Sequence, residues 1–353
     1  MKRICTKCIV AALILSMGIT AGIPAYAAQP QTTAATEQAA QLSLEETASQ
    51  YFENYPSDKH VVSAEQLLNR VEEGESFCLL DIRSAEDYAK GHIQGAVNIP
   101  YGADVADALE IIPNDQPVLV YCYSGQTASQ TVALLRLAGK DAYNVSGGFN
   151  KGISKQEKAK QLTVKTETAL PEGNYPVNPQ LKQAIREYYE LAAQNGKFNM
   201  SAEQVKKEAS EGKIYLVDIR SENDYLKSRI SFAKENIPFG KGMQTALANL
   251  PKDQKIVFQC YSGQTASQTV AIARMMGLDA YNLSGGMGAK GGSGWLGAGY
   301  HVVKYSTQQF LNAKVERYFK NLPENKNQLS AAAFLAAVED KEDAVILDIR
   351  SAE

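Results

Sequence analysis

"VLVYCYSGQTASQTVALLRLAG" (residues 118–139) decides the fold of this chain. It opens with a short apolar run of the kind that forms a buried strand. It turns at Ser124 and Gly125, then continues with helical spacing to a glycine suited to a C-terminal cap. Cys122 therefore stands at the carboxyl end of a strand, and residues 123–127 turn into the helix. "IVFQCYSGQTASQTVAIARMMG" (residues 256–277) repeats the arrangement around Cys260, and residues 122–133 and 260–271 are identical.

Working outward, the whole unit is repeated. "LLDIRSAEDY" (79–88), "LVDIRSENDY" (216–225) and "ILDIRSAE" (346–353) are related, and Tyr51, Tyr188 and Tyr318 each lie thirty residues before Asp81, Asp218 and Asp348. Ser63 with Gln66 and Ser201 with Gln204 fit capping boxes; the third copy has Ser330 but Ala333 in place of the glutamine. Asp81 to Cys122 is 41 residues and Asp218 to Cys260 is 42, while both cysteines precede a glycine, Gly147 or Gly285, by 25. Apolar runs such as "FCLLDI", "PVLVYC" and "AYNV" alternate with helical patterns. That alternation predicts α/β domains, each with a parallel central sheet flanked by helices.

The expected organisation is a signal peptide over 1–27, a mobile leader over 28–44 and a first domain over 45–150. A Lys/Thr/Pro/Gly-rich linker over 151–178, a second domain over 179–303 and the start of a third over 304–353 follow. A complete third copy is expected to carry its loop cysteine 41 or 42 residues beyond Asp348, near position 389 or 390. The glycine-rich "GAKGGSGWLGAG" (288–299) reads as a loop without the spacing of a phosphate-binding turn.

Lys2, Arg3 and Lys7, an apolar run over 9–23 and Ala25-Tyr26-Ala27 form the pattern of an export signal. The expectation is a secreted or envelope protein with no membrane span after cleavage. Net charge is −3, or −6 once those three cations leave, which argues against a nucleic-acid partner. Cys5 and Cys8 leave with the signal, so Cys78, Cys122 and Cys260 remain, an odd number that makes no disulfide framework. No cysteine or histidine spacing suggests a metal site. Cys78 lies within a strand pattern and reads as core; His92 reads as a structural hydrogen-bonding group.

A strand-to-helix turn presents successive backbone N–H groups and favours a thiolate over a thiol. Cys122 and Cys260 are therefore the candidate nucleophiles. The order "LLDIRSAEDYAKGHIQGAVNIP", "VYCYSGQTAS", "AYNVSGGF" resembles the rhodanese family of sulfurtransferases, over nearly all of residues 45–149, most of 179–303 and the opening of the third copy. The resemblance implies that Cys122 and Cys260 carry sulfane sulfur as a persulfide. The cradles would be Tyr123, Ser124, Gly125, Gln126 and Thr127, and Tyr261, Ser262, Gly263, Gln264 and Thr265. Asp81, Arg83, Asp218 and Arg220 would support them. The implied partners are a small sulfur donor (thiosulfate, persulfide or polysulfide) and a thiol or cyanide acceptor, without metal or organic cofactor.

The sequence departs from the family pattern where many active members have an arginine as sixth loop residue and often a cation after the cysteine. Thr127 and Tyr123 stand there, as do Thr265 and Tyr261. A dianionic donor is then expected to bind poorly, because a charge-assisted bond is missing. The second copy also lacks the Gly-His of "GHIQGAVNIP", reading "SRISFAKENIP" over 228–238. Two other readings compete: a non-catalytic array that senses sulfur or binds a partner, and a phosphatase or arsenate reductase of related fold. Against the latter, Ala128 and Ala266 occupy the place of the phosphate-clamping arginine.

Overall fold

The computed structural model describes residues 44–339, apart from 54, 321, 323, 325 and 327. The stretches expected to be an export signal and a leader, up to residue 43, and the third "DIR" with Asp348 lie outside the described residues. Apolar runs with no polar alternation form strands buried on both faces: every residue of Cys78–Asp81 and of Val118–Tyr121 is buried. The first sheet has the order Val61–Val62, Ala142–Val145, Val118–Tyr121, Cys78–Asp81, Ala96–Asn98, all parallel. The second has Asn199–Met200, Ala280–Leu283, Lys255–Gln259, Ile214–Asp218 and Ala233–Asn236 in the same arrangement. In both, the strand leading to the cysteine is central, so the loop that follows emerges mid-sheet at its carboxyl edge, where open α/β sheets bind ligands.

The helix starts are set by the residues identified above. Ser63 caps Ala64–Glu73 and Ser201 caps Ala202–Ser210, each with its glutamine closing the box. Ser330 Oγ accepts the Ala333 N–H at the start of Ala331–Glu339. Cys78 is core, and burial pushes its thiol up to about 11. The His92 ring stacks on Tyr88, with its nitrogens 2.9 and 3.1 Å from the carbonyl oxygens of Tyr88 and Thr166, a structural role.

The structure differs from the expected organisation in three places. Residues 151–178 hold the helix Glu157–Leu162, which packs on Ala64–Glu73, and the strand Thr163–Val164, which pairs antiparallel with His92–Ile93. Composition hid this because Ala159 and Leu162 suffice to tie the segment to the first sheet's core. The stretch 288–299 contains the short helix Gly294–Gly297, anchored by buried Trp295, whose Nε1 donates to the His301 carbonyl at 2.9 Å. Most consequentially, the helix opening each repeat packs on the other repeat. Leu44–Gln50 lies on Met243–Ala248 and Gln264–Met275, while Pro179–Gln194 lies on Ala103–Asp107. Phe52 and Tyr55 reach Phe239, with ring centroids 5.7 and 5.0 Å apart, and Tyr189 reaches Tyr101 at 5.0 Å. One apolar core consequently runs through both repeats, including Phe52, Val120, Tyr189 and Phe258. The corresponding third helix, Thr307–Lys320, exposes Leu311, Val315 and Phe319; Lys314 and Arg317 lie 3.4 and 3.5 Å from Glu222.

The crossing segment carries a pH-sensitive group. His60 is 6% exposed, and its Nδ1 has no hydrogen-bond partner. Burial, reinforced by the positive charge of Arg136, lowers its pKa from 6.5 to about 4. The unfolded chain takes up a proton below pH 6.5 that the folded chain refuses until about pH 4. His60 is thus expected to remove stability progressively as pH falls across that interval, by about 3 kcal/mol when it is complete. The second repeat has Phe198 at this position, also with positive φ. Urea unfolding of wild type and His60→Phe between pH 7 and 4 checks this: the difference in stability should shift steadily in favour of the variant. A pH-independent difference would refute it.

Candidate functional site

The helix Gln126–Leu137 begins four residues after Cys122, with Gly125 at φ 82° as its first flanking residue. That left-handed turn, open to glycine at low cost, folds the backbone around the sulfur. The N–H groups of Gly125 and Ala128 point at Cys122 Sγ at 3.2 and 3.4 Å. Gly263 and Ala266 do the same for Cys260 at 3.1 and 3.5 Å. Each sulfur thus sits among backbone N–H donors at the positive end of a twelve-residue helix, a setting that suits an anionic group carried there. Cys260 also lines a cavity of about 320 Å³ with Ser262, Gln264 and Thr265.

A second loop holds the first. Phe149 N–H donates to the Cys122 carbonyl at 2.7 Å, and Asn150 N–H to that of Tyr123 at 2.9 Å. Met287 and Gly288 repeat these bonds to Cys260 and Tyr261 at the same distances. The approach requires glycine: a Cβ on Gly148 would lie 2.5 Å from the Cys122 oxygen, and one on Gly286 2.5 Å from the Cys260 oxygen. Sequence reasoning used Gly147 and Gly285 only as spacing marks. The paired "NVSGG" and "NLSGG" carried the signal for Gly148 and Gly286.

Asp81 and Arg83 brace the neighbouring strand end. The Asp81 carboxylate is fully buried. It accepts the Arg83 backbone N–H and Nε at 2.9 and 3.0 Å and Nη2 at 2.5 Å, while Nη2 also donates to the Gly91 carbonyl. The guanidinium lies over the Phe149 ring, 3.9 Å from its centroid. Asp218 and Arg220 form the same pair, with Nη2 reaching the Ser228 carbonyl at 2.6 Å. These four are framework residues.

Two cradle assignments change. Tyr123 turns sideways: its hydroxyl donates to Asp87 Oδ2 at 2.6 Å, helping lower that carboxylate to about 2, and Tyr261 does likewise to Asp224. The tyrosines tether the loop to the adjoining helix. Gln126 and Gln264 cross to the opposite repeat. Gln264 Oε1 accepts Asn144 Nδ2 and Gly147 N–H at 2.9 and 3.2 Å; Gln126 Oε1 accepts Asn282 Nδ2 and Gly285 N–H at 2.9 and 3.0 Å. Gly125 and Gly263 leave room for these amides, since a Cβ on either would meet the opposing glutamine oxygen at 2.4 Å. The loop serines and glutamines of both repeats line one cavity of about 680 Å³. Ser262 and Thr265 line the cavity that holds Cys260.

The two cysteine helices, Gln126–Leu137 and Gln264–Met275, pack directly against each other. Gln130 and Gln268 extend the exchange, donating to the carbonyls of Lys197 and Lys59 at 2.9 and 3.0 Å. The contact is pseudo-twofold, so each contact recurs with the repeats exchanged, and a residue that fits in one repeat is required again in the other. That is a second physical reason for the identical twelve residues.

The sequence profile of the rhodanese-like domain matches residues 63–155 and 201–289, just over half of the chain. A thiosulfate sulfurtransferase GlpE of Pseudomonas fluorescens is 38% identical over 72 residues, 20% of this chain and 65% of that protein. The HTH-type transcriptional regulator Rv0324 of Mycobacterium tuberculosis is 35% identical over 95 residues, 26% of this chain and 41% of the regulator. The chain thus spans about two fifths to two thirds of the length of these curated relatives. A crystal structure of a rhodanese-like domain protein from Staphylococcus aureus aligns with 26% of this chain and 88% of its own, at 27% identity and a TM-score of 0.25. With two matched stretches that coincide with the two parallel sheets and the two cysteine loops, the chain belongs to the rhodanese-like family and carries its domain twice in tandem.

Proposed function

We propose that this protein is an extracytoplasmic sulfurtransferase that carries sulfane sulfur on Cys122 and Cys260. The observation that carries the reading is the pair of backbone N–H groups aimed at each sulfur from a helix start. The thiolate attacks the outer sulfur of a donor. With thiosulfate, the new Cys S–S bond forms as the donor S–S bond breaks, its electron pair leaving on sulfite. The resulting persulfide anion occupies the turn, where the same N–H groups stabilise it. A thiol acceptor in thiolate form then attacks the terminal sulfur, leaves as a persulfide and restores the cysteine thiolate; cyanide would leave as thiocyanate. No proton or external oxidant is consumed. Export is supported by the positive start, apolar run and Ala25-Tyr26-Ala27 of the sequence. Among the described residues no helix is long and apolar enough to cross a membrane.

Intact-protein mass spectrometry after incubation with thiosulfate or glutathione persulfide tests the reading. The expected result is a gain of one sulfur per active cysteine. It should be reversed by cyanide, reduced in each single Cys→Ser variant and absent from Cys122→Ser/Cys260→Ser. A wild-type protein that gains no sulfur from either donor, or a double variant that still does, would sink it.

A further inference from the structure

Each repeat sends a lysine-bearing turn across the interface to the helix that starts at the other repeat's cysteine loop. Lys59, from the first repeat, lines the cavity that holds Cys260 and Thr265; Asp58, whose carboxylate accepts the His60 backbone N–H at 2.8 Å, lines it too. Lys59 occupies a turn with φ 58°, and its carbonyl accepts from Gln268, on the helix that starts at the Cys260 loop. The second repeat rebuilds this turn: Lys197 also has φ 58°, its carbonyl accepts from Gln130 on the Cys122 helix, and its Nζ lies over the Tyr101 ring, 5.3 Å from the centroid. The following residues, His60 and Phe198, share the positive φ. Positive φ at a bulky non-glycine residue is uncommon and costs free energy. Here it occurs twice, at two consecutive residues, with lysine in the same place. The neighbouring positions have drifted, Asp58 facing Gly196 and Val61 facing Asn199 in the alignment of the repeats, yet the lysine is kept.

The loops lack the arginine that would hold an anionic donor, having Thr127 and Thr265 in its place. We infer that the missing charge is supplied across the interface, by Lys59 to the Cys260 site and by Lys197 to the Cys122 site, and that both sites take anionic sulfur donors of the thiosulfate type. This rests on the sulfurtransferase reading and amends the expectation that dianions bind poorly. It also makes each site incomplete without the opposite repeat.

The test separates the two sites. Lys59→Gln and Lys197→Gln are made in the full chain carrying either Cys122→Ser or Cys260→Ser, and sulfur loading from thiosulfate is followed by intact mass. Lys59→Gln is expected to raise the half-saturating thiosulfate concentration about tenfold at Cys260, and Lys197→Gln to do so at Cys122, the size of one charge-assisted contact. Arginine at either position should restore loading, and the difference should shrink at high salt. A second readout compares alkylation by anionic iodoacetate with that by neutral iodoacetamide. Each glutamine variant should lower the iodoacetate-to-iodoacetamide ratio at the opposite repeat's cysteine. Half-saturation and ratio unchanged, or altered equally at both cysteines, would overturn the assignment. If wild type takes sulfur from glutathione persulfide but none from thiosulfate, the assignment of thiosulfate-type donors is overturned; if it takes sulfur from neither, the sulfurtransferase reading fails by itself, and the alkylation ratios still decide the lysines.

Discussion

Gly148→Ala is expected to slow sulfur loading at Cys122 by about a hundredfold or more, and Gly286→Ala to do the same at Cys260. The added methyl of Gly148→Ala would stand 2.5 Å from the Cys122 oxygen, 2.7 Å from the Gly125 nitrogen and 2.8 Å from the Ser124 nitrogen. All three are backbone atoms of the turn that aims N–H groups at the sulfur, so relief requires moving the turn itself. A shift of about an ångström is enough to misdirect a reacting atom. The substitution also places alanine at φ +57°, which costs about 1–2 kcal/mol on its own. Gly139→Ala separates the two effects. Its φ is +80° and its Cβ would meet nothing within 4 Å, so it should lower stability without altering loading. The rates are read in a Cys260→Ser background for Gly148→Ala and in a Cys122→Ser background for Gly286→Ala. Loading by Gly148→Ala that matches Gly139→Ala would show that the second loop does not set the first.

Asp81→Asn is expected to destabilise the fold by about 3–5 kcal/mol, measured as a lowered urea midpoint. The carboxylate is fully buried and the Arg83 side chain is 4% exposed, so removing the negative charge strands a guanidinium beneath Phe149 without a counter-ion. Arg83 would keep its bond to the Gly91 carbonyl and its contact with Tyr121, neither of which supplies a negative charge. The double variant Asp81→Asn/Arg83→Met removes both charges and should be less damaged than the single one, since no unpaired charge remains. A single variant within about 1 kcal/mol of wild type, or a double variant worse than the single one by the full cost of a second defect, would show that the pair does not brace the strand end.

The cysteine loop was legible because its signals are local. An apolar run, a Ser-Gly turn and helical spacing force a strand-to-helix connection whatever surrounds it, and Cys122 and Cys260 fall at its corner. The capping boxes at Ser63 and Ser201 and the core position of Cys78 were legible for the same reason. Residues 151–178 were not, because two short elements tied down by Ala159 and Leu162 leave no periodicity to read.

By itself, then, the sequence determined the repeated α/β unit, the sulfur-bearing turn and its lack of an arginine. These depend on contacts between residues a few positions apart. Only the tertiary structure decided that the opening helices exchange repeats, that Gln126 and Gln264 clasp the opposite domain and that Lys59 reaches the Cys260 site. Those contacts join residues more than a hundred positions apart, and no pattern within one repeat encodes which surface it meets. The twelve identical residues join the two levels. Their local chemistry holds a sulfur, and their outward face must fit a copy of itself.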